Sequence, residues 1–217
     1  MLERVAYLEV VLHFLHQQMK VNMKVLVACE TSGAVREAFK RKGHEVYSCD
    51  ILPAIDNSPL HIQGDAIEVI YSQQWDMIIA HPPCTYLCNS GVSWLHKDQS
   101  RWHELDKASQ FFKTLLEYNI PKICVENPIP HKYGQLPKYT QIIQPYYFGH
   151  PESKATCLWL KNLPKLKETY NVKQEMINLP KKLSQRIHNT PPSKDRWKER
   201  SRTYRGIAEA MADQWGN

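Results

Sequence analysis

Apolar residues along this chain fall into short runs, separated by longer stretches whose apolar positions recur at helical spacing. Lys24–Cys29 (KVLVAC) has five apolar or Cys residues out of six, two of them β-branched, and reads as a buried strand. Ser32–Lys42 follows, with Val35, Ala38 and Phe39 on one helical face and a stop signal at Gly43. His44–Cys49, Trp75–Ala80 and Lys122–Val125 are again strand-like, each running into polar or Pro-rich residues. Between the last two, Leu105–Tyr118 puts Ala108, Phe111, Phe112, Leu115 and Leu116 on one side of a helix. Ala155–Leu160 predicts a further strand, and Arg205–Trp215 a closing helix with Ile207, Ala208, Met211 and Trp215 on one face. Strands separated by helices imply βαβ units with right-handed crossovers. The expected fold class is α/β, with a mostly parallel sheet flanked by helices. Leu163–Arg200, rich in Lys and Pro and weakly periodic, reads as a poorly structured insertion before the last helix.

Composition sharpens this picture at three points. With 217 residues, 42% hydrophobic and 23% charged, the chain fits one ordinary globular domain with appendages and excludes wholesale disorder. The net charge of +6 is unevenly spread. Lys161–Arg205 carries 13 basic and 4 acidic residues, a net of +9, and the remainder is at −3. A basic edge on a near-neutral body fits a polyanionic partner, most often nucleic acid, and fits a solvated tail equally well on charge alone. The six cysteines (Cys29, Cys49, Cys84, Cys88, Cys124, Cys157) show no CxxC pair and no metal-ligand spacing. No disulfide framework and no metal are expected, and a reducing cytoplasm is the natural compartment. The apolar opening, residues 1–22, is interrupted by Glu9, His13 and His16, and no small-residue cleavage site follows. It predicts a short amphipathic helix rather than a signal or membrane span, so no membrane association is expected. The expected organisation is an extension (1–22), a core (23–160), a basic insertion (161–202) and a C-terminal helix (203–217).

In an open parallel sheet, ligands bind outside the carboxyl ends of the strands, so strand-end residues are read first. Glu30-Thr31-Ser32-Gly33 is a tight turn into a helix whose N-terminus favours a carboxylate-bearing ligand. Asp50 closes the second strand, where an acid can accept hydrogen bonds from ribose hydroxyls, and Gly64-Asp65 could border the base of the same ligand. Each also fits an ordinary turn. The sharpest signal is Ala80-His-Pro-Pro-Cys-Thr-Tyr86. Two prolines must end the strand and so present Cys84 on a rigid loop. The next strand ends in Glu126-Asn127, and burying Glu126 is costly unless it has a partner or a proton to donate. A thiol facing a carboxyl suits attack on a heteroaromatic ring, the thiolate adding while the carboxyl stabilises the ring nitrogen that gains electron density.

Taken in order, these segments resemble the DNA cytosine-5 methyltransferases over roughly residues 23–216, and the resemblance implies a Rossmann-like S-adenosylmethionine-dependent methyltransferase fold. Pro82-Pro83-Cys84 looks like the family's catalytic Pro-Pro-Cys, and Glu126-Asn127 like its Glu-Asn pair. Phe148–Thr156 resembles the basic motif that opens a later strand, with Lys154 as its basic match. Thr203–Ala208 stands in the place of the last motif. The resemblance implies S-adenosyl-L-methionine as cofactor, held by Cys29, Glu30, Thr31, Ser32, Gly33, Asp50, Ile51, Asp65, Pro82 and Gly206. It implies catalysis by Cys84, Glu126, Asn127 and Lys154. Thr85–Trp102 would be a mobile loop over a flipped base, with Gly91 as hinge and Lys97 and Arg101 on phosphates. Lys181, Lys182, Arg186 and Arg196 would grip DNA. The family's large target-recognition domain is here reduced to about 45 residues, as in short members of the kind carried by bacteriophages, so base-specific readout is thin. A homo-oligomer or a separate specificity partner is left open by so short an insertion. Two other readings rank below. An exocyclic-amine methyltransferase wants an aromatic residue where Cys84 stands. A catalytically inactive nucleic-acid binder has no need of Cys84, Glu126 and Asn127 together.

Overall fold

A computed structural model describes residues 22–194 and 196–217; the expected N-terminal helix lies outside the described residues. Seven strands form one sheet: β1 (Lys24–Ala28), β2 (Glu45–Asp50), β3 (His61–Gln63), β4 (Met77–Ala80), β5 (Lys122–Pro128), β6 (Gln141–Ile143) and β7 (Thr156–Lys161), in the order β3-β2-β1-β4-β5-β7-β6. The first five run parallel to one another, and β7 alone is reversed, antiparallel to both β5 and β6. This is a Rossmann-like arrangement, a mostly parallel sheet with helices on both faces.

The strand sequences explain the layering. Successive side chains alternate between faces, and both faces are covered, so central strands are apolar throughout. Val25, Val27, Met77, Ile79 and Leu158 join one core with Phe39 of α1 (Ala34–Arg41) and Met211 and Trp215 of α8 (Arg205–Trp215). Leu26, Ile78, Ile123, Val125 and Trp159 join the other, with Ile70 of α2 (Ala66–Ser72) and Phe112 and Leu115 of α4 (Ser100–Glu117). The chain winds outward from β1 to β3 and then restarts at β4 on the other side of β1. The strand order therefore reverses between β1 and β4, and in open α/β sheets the carboxyl ends at such a reversal are where ligands bind.

Three sequence expectations change. Helix α1 begins at Ala34 rather than Ser32, because Gly33 takes φ 67° and the Glu30 carboxylate accepts from Val35 N–H (2.8 Å) and Arg36 N–H (3.3 Å). Thr85–Trp102 is no free loop. It folds into α3 (Asn89–Val92) and turns, with Leu87 and Leu95 fully buried against the second core. The basic insertion is also structured. It contains α5 (Lys173–Asn178), α6 (Lys181–Ser184) and α7 (Arg196–Ser201), and it is tied to the body along its length. Leu166 enters the first core, Trp215 Nε1–H donates to Pro164 O (3.0 Å), and Val172 N–H donates to Tyr146 O (2.7 Å). No described helix is long and apolar enough to cross a membrane.

Candidate active site

The carboxyl ends of β1, β2, β4 and β5 and the start of β7 share one edge of the sheet, and the sequence-predicted residues divide there into two groups. Around β1 and β2, Cys29 stands at φ 59° and is partly buried. Its thiol is pushed well up by burial, with Cys49, Asp50 and Asp65 adding to the effect, so the two carboxylates stand close to it. Asp50 Oδ1 accepts from Leu52 N–H (2.9 Å), and Asp65 Oδ1 caps α2 through Ile67 N–H (2.7 Å). The second oxygen of each has no hydrogen-bond partner among the described residues. Ile51 follows Asp50 with 71% of its surface exposed, a large apolar group held in water beside two acids. Glu30 differs from expectation. Its carboxylate fills the N-terminus of α1, so that helix end already holds an anion of the protein's own. Ser32 donates to Glu30 Oε1 (3.3 Å) and accepts from Ala34 N–H (3.3 Å), and Thr31 O accepts from Ile55 N–H (2.9 Å). Gly33 is required sterically, since a Cβ there would lie 2.4 Å from the guanidinium of the fully buried Arg36. Gly206 packs against backbone. A Cβ would lie 1.9 Å from Phe148 O, and its N–H donates to His150 Nε2 (3.0 Å).

Around β4 and β5, the second group converges. His81 N–H continues the ladder from β4 by donating to Ala28 O (2.9 Å), and Pro82 and Pro83 then carry the chain off the sheet to Cys84. Asn127 is fully buried, and its Nδ2 donates to Pro82 O (3.2 Å), fastening the Pro82–Cys84 turn to β5. Its Nδ2 is thus committed to the loop, while its Oδ1 has no partner among the described residues. Glu126 Oε2 meets His81 Nδ1 at 3.2 Å, with both side chains mostly buried. Burial alone would raise the Glu126 carboxyl. The hydrogen bond and charge of His81 oppose it, Lys154 and Thr156 add to that pull, and the net effect is a carboxyl held below its ordinary range. Glu126 is therefore an anion at neutral pH.

Cys84 behaves oppositely. Its hydrogen bond with Cys88 is the largest of the influences that push the thiol far up, followed by burial and by the negative charges of Cys88 and Glu126; Lys154 alone acts in the other direction. Cys84 is thus held as a thiol. Lys154 reaches the site from the segment before β7, its Nζ donating to Arg200 O at the end of α7 (2.9 Å). His81, Cys88 and Thr156 were missed from sequence. Only His81 carried a signal, its place directly before the two prolines.

The basic residues are dispersed. Lys97 lies over the half-exposed Trp94 ring at 4.8 Å, and Arg101 over the Tyr86 ring at 4.8 Å. Lys181 and Lys182 are exposed on α6. Arg186 is engaged, its Nε 3.2 Å from Glu152 Oε1, and Glu152 Oε2 also accepts from Tyr204 (2.8 Å). Arg196 opens α7 half-buried. Among the described residues no group of three His, Cys, Asp or Glu is placed to hold a metal ion.

No protein-family model matches the chain, and no curated protein matches it. Among solved structures it is similar to the S. pombe Dnmt2 methyltransferase, with 13% identity and a TM-score of 0.38 over 71% of this chain and 54% of that one. It is also similar to a mutant of Spodoptera frugiperda DNMT2, with 18% identity and a TM-score of 0.35 over 70% and 54%. The chain spans about half the length of these structures.

Proposed function

We propose that the protein is an S-adenosylmethionine-dependent methyltransferase acting on carbon 5 of cytosine in DNA, with Cys84 as nucleophile. The observation that carries this reading is the placement of Cys84 just beyond β4, Glu126 at the end of the neighbouring β5 and Lys154 just before β7, which pairs with β5, at one edge of the sheet where the strand order reverses.

The residues around β1 and β2 fit the cofactor. Asp50 and Asp65 each keep one unpartnered carboxylate oxygen for ribose hydroxyls or a cationic group, and the exposed Ile51 offers an apolar face to a heteroaromatic base. Glu30 suits an ammonium rather than a carboxylate, since its own charge already occupies the helix end. When bound, the cofactor supplies a methyl group on a sulfonium, which ring carbon 5 accepts.

Cys84 loses its proton to water and its sulfur adds to ring carbon 6, breaking the 5,6 double bond. Glu126, which takes up a proton from water once the base is bound, donates it to ring nitrogen 3 as that nitrogen receives the displaced electron density. Lys154, the one nearby group that favours the thiolate, offsets the charge that appears on sulfur. Asn127 keeps the Pro82–Cys84 turn at a fixed distance from β5 throughout. Loss of the carbon-5 proton to water and expulsion of Sγ restore the double bond and free the enzyme. Lys181 and Lys182 supply phosphate contacts that hold the strand without reading bases. Incubation with methyl-labelled S-adenosylmethionine and cytosine-containing DNA tests the reading. Label is expected in 5-methylcytosine. Label in an exocyclic amine, or none at all, would overturn it.

A further inference from the structure

We infer that the DNA taken by this site is an unpaired strand, held by stacking of its bases on Trp94, in the segment that follows Cys84, and on Trp197, in the helix that meets Lys154. The inference rests on the cytosine-5 reading and narrows its substrate. The chain has six tryptophans. Trp75, Trp159 and Trp215 are at most 3% exposed, and Trp102 packs edge-on against His96 and tilted against Tyr133. Trp94 and Trp197 stand apart, 54% and 45% exposed. Each also has a lysine ammonium over its ring, Lys97 Nζ at 4.8 Å and Lys198 Nζ at 5.7 Å from the centroid. One exposed aromatic is ordinary on a protein surface. A ring with a cation beside it offers a π-face to a base and a counter-charge to its phosphate, the combination by which proteins hold single strands.

Both rings are mounted on anchored backbone. From Cys84 the chain runs on through linked turns: Cys88 N–H donates to Cys84 O (3.1 Å), Val92 N–H to Cys88 O (3.2 Å) and Leu95 N–H to Val92 O (3.0 Å). Leu95 is fully buried, which fixes its neighbour Trp94 at the surface. On the other segment, Arg200 O accepts from Lys154 Nζ (2.9 Å), which ties α7 to the residues just before β7. Little ordering entropy is then left to lose when a base stacks. The charge around Trp197 suits a polyanion, since residues 196–202 carry four basic side chains and one acidic. A duplex would leave these rings idle, because its bases already stack on one another and present edges rather than faces. Nor does the basic segment hold a groove reader among the described residues. α5 and α7 have six residues each and α6 four, less than two turns at about 3.6 residues per turn. An unpaired strand also spares the cost of unpairing the target cytosine.

Fluorescence anisotropy with a labelled single-stranded oligonucleotide, and with the duplex of the same sequence, tests the inference. The single strand is expected to bind at least about tenfold more tightly at equal salt. Trp94→Ala and Trp197→Ala are each expected to weaken single-strand binding by about 5- to 150-fold, leaving duplex binding and the thermal melt unchanged. Trp94→Phe and Trp197→Phe, which keep a π-face, should recover most of that loss. Duplex binding as tight as single-strand binding, or alanine variants that hold the single strand like wild type, overturns the inference. Methyl transfer is read on the same two DNAs. Faster formation of 5-methylcytosine in the single strand supports the inference, and faster formation in the duplex overturns it while leaving the cytosine-5 reading intact. If neither DNA gains 5-methylcytosine, the underlying reading falls, and the binding comparison still decides the stacking role.

Discussion

Asn127 makes a demanding test of how the Pro82–Cys84 turn is held. It is fully buried, and its one side-chain hydrogen bond among the described residues, Nδ2–H to Pro82 O at 3.2 Å, ties β5 to a turn whose two prolines lack backbone donors of their own. In Asn127→Ala, the Pro82 carbonyl is left buried and unpaired, which costs about 1–3 kcal/mol. The small void adds roughly 1 kcal/mol. Removing the unpartnered Oδ1 returns about the same amount. The net loss is about 1–3 kcal/mol, or a Tm decrease of about 2–4 °C per kcal/mol for a chain of this size. Asn127→Asp is nearly isosteric, but it sets an acceptor against a carbonyl and buries a second anion beside Glu126, at about 3–5 kcal/mol. Urea melts monitored by circular dichroism should therefore rank wild type above Ala and Ala above Asp, with kcat falling at least about tenfold in Ala as the Cys84 turn loosens. A residue valued only for its volume would give the reverse order. Asp milder than Ala, or Ala within about 0.5 kcal/mol of wild type, refutes the reasoning.

Other expectations follow from the same geometry. Gly206→Ala drives a methyl into Phe148 O, 1.9 Å away, and should cost about 1–3 kcal/mol even before any effect on cofactor binding, read by thermal melting without ligand. Because Cys88 is the largest influence holding Cys84 as a thiol, Cys88→Ala should speed alkylation of Cys84 by iodoacetamide at neutral pH; an unchanged rate would show that burial dominates. Glu126 is held below its ordinary carboxyl range, so its stabilising contribution is present above the unfolded-state value and is lost as pH falls through the folded one. Glu126→Gln should flatten the acid limb of stability, measured as urea midpoint against pH. Charge reversal of Lys181 and Lys182 together should weaken DNA binding and reduce the salt slope by roughly two, read by fluorescence anisotropy at several salt concentrations.

The parallel core was legible because its strands are apolar on both faces. Val25–Ala28 and Met77–Ala80 need no partner to be recognised. β3 was not, because His61 and Gln63 form an edge through side-chain contacts, Ser48 to His61 Nδ1 (2.9 Å) and Gln63 to Ile51 O (3.1 Å), rather than through apolar burial. The basic segment looked loose because its anchors are few and far apart in the chain. Lys167 N–H, for example, is held by the Gln214 side chain 47 residues away. In the site, Cys84, Glu126 and Lys154 were readable singly as strand-end residues, yet the His81–Glu126 contact spans 45 positions and leaves no local trace. Glu30 misled for a related reason. An acid before a helix can greet a ligand or cap the helix itself, and only the Val35 and Arg36 amides decide between them.

The most direct measurement uses DNA carrying 5-fluorocytosine, in which carbon 5 has no proton to lose and the enzyme cannot release its substrate. With S-adenosylmethionine present, the wild-type protein should become covalently attached through a thioether that mass spectrometry locates on Cys84, and Cys84→Ser should not attach. Methyl transfer to ordinary cytosine DNA without a trapped adduct, or an adduct at a residue other than Cys84, would contradict the account.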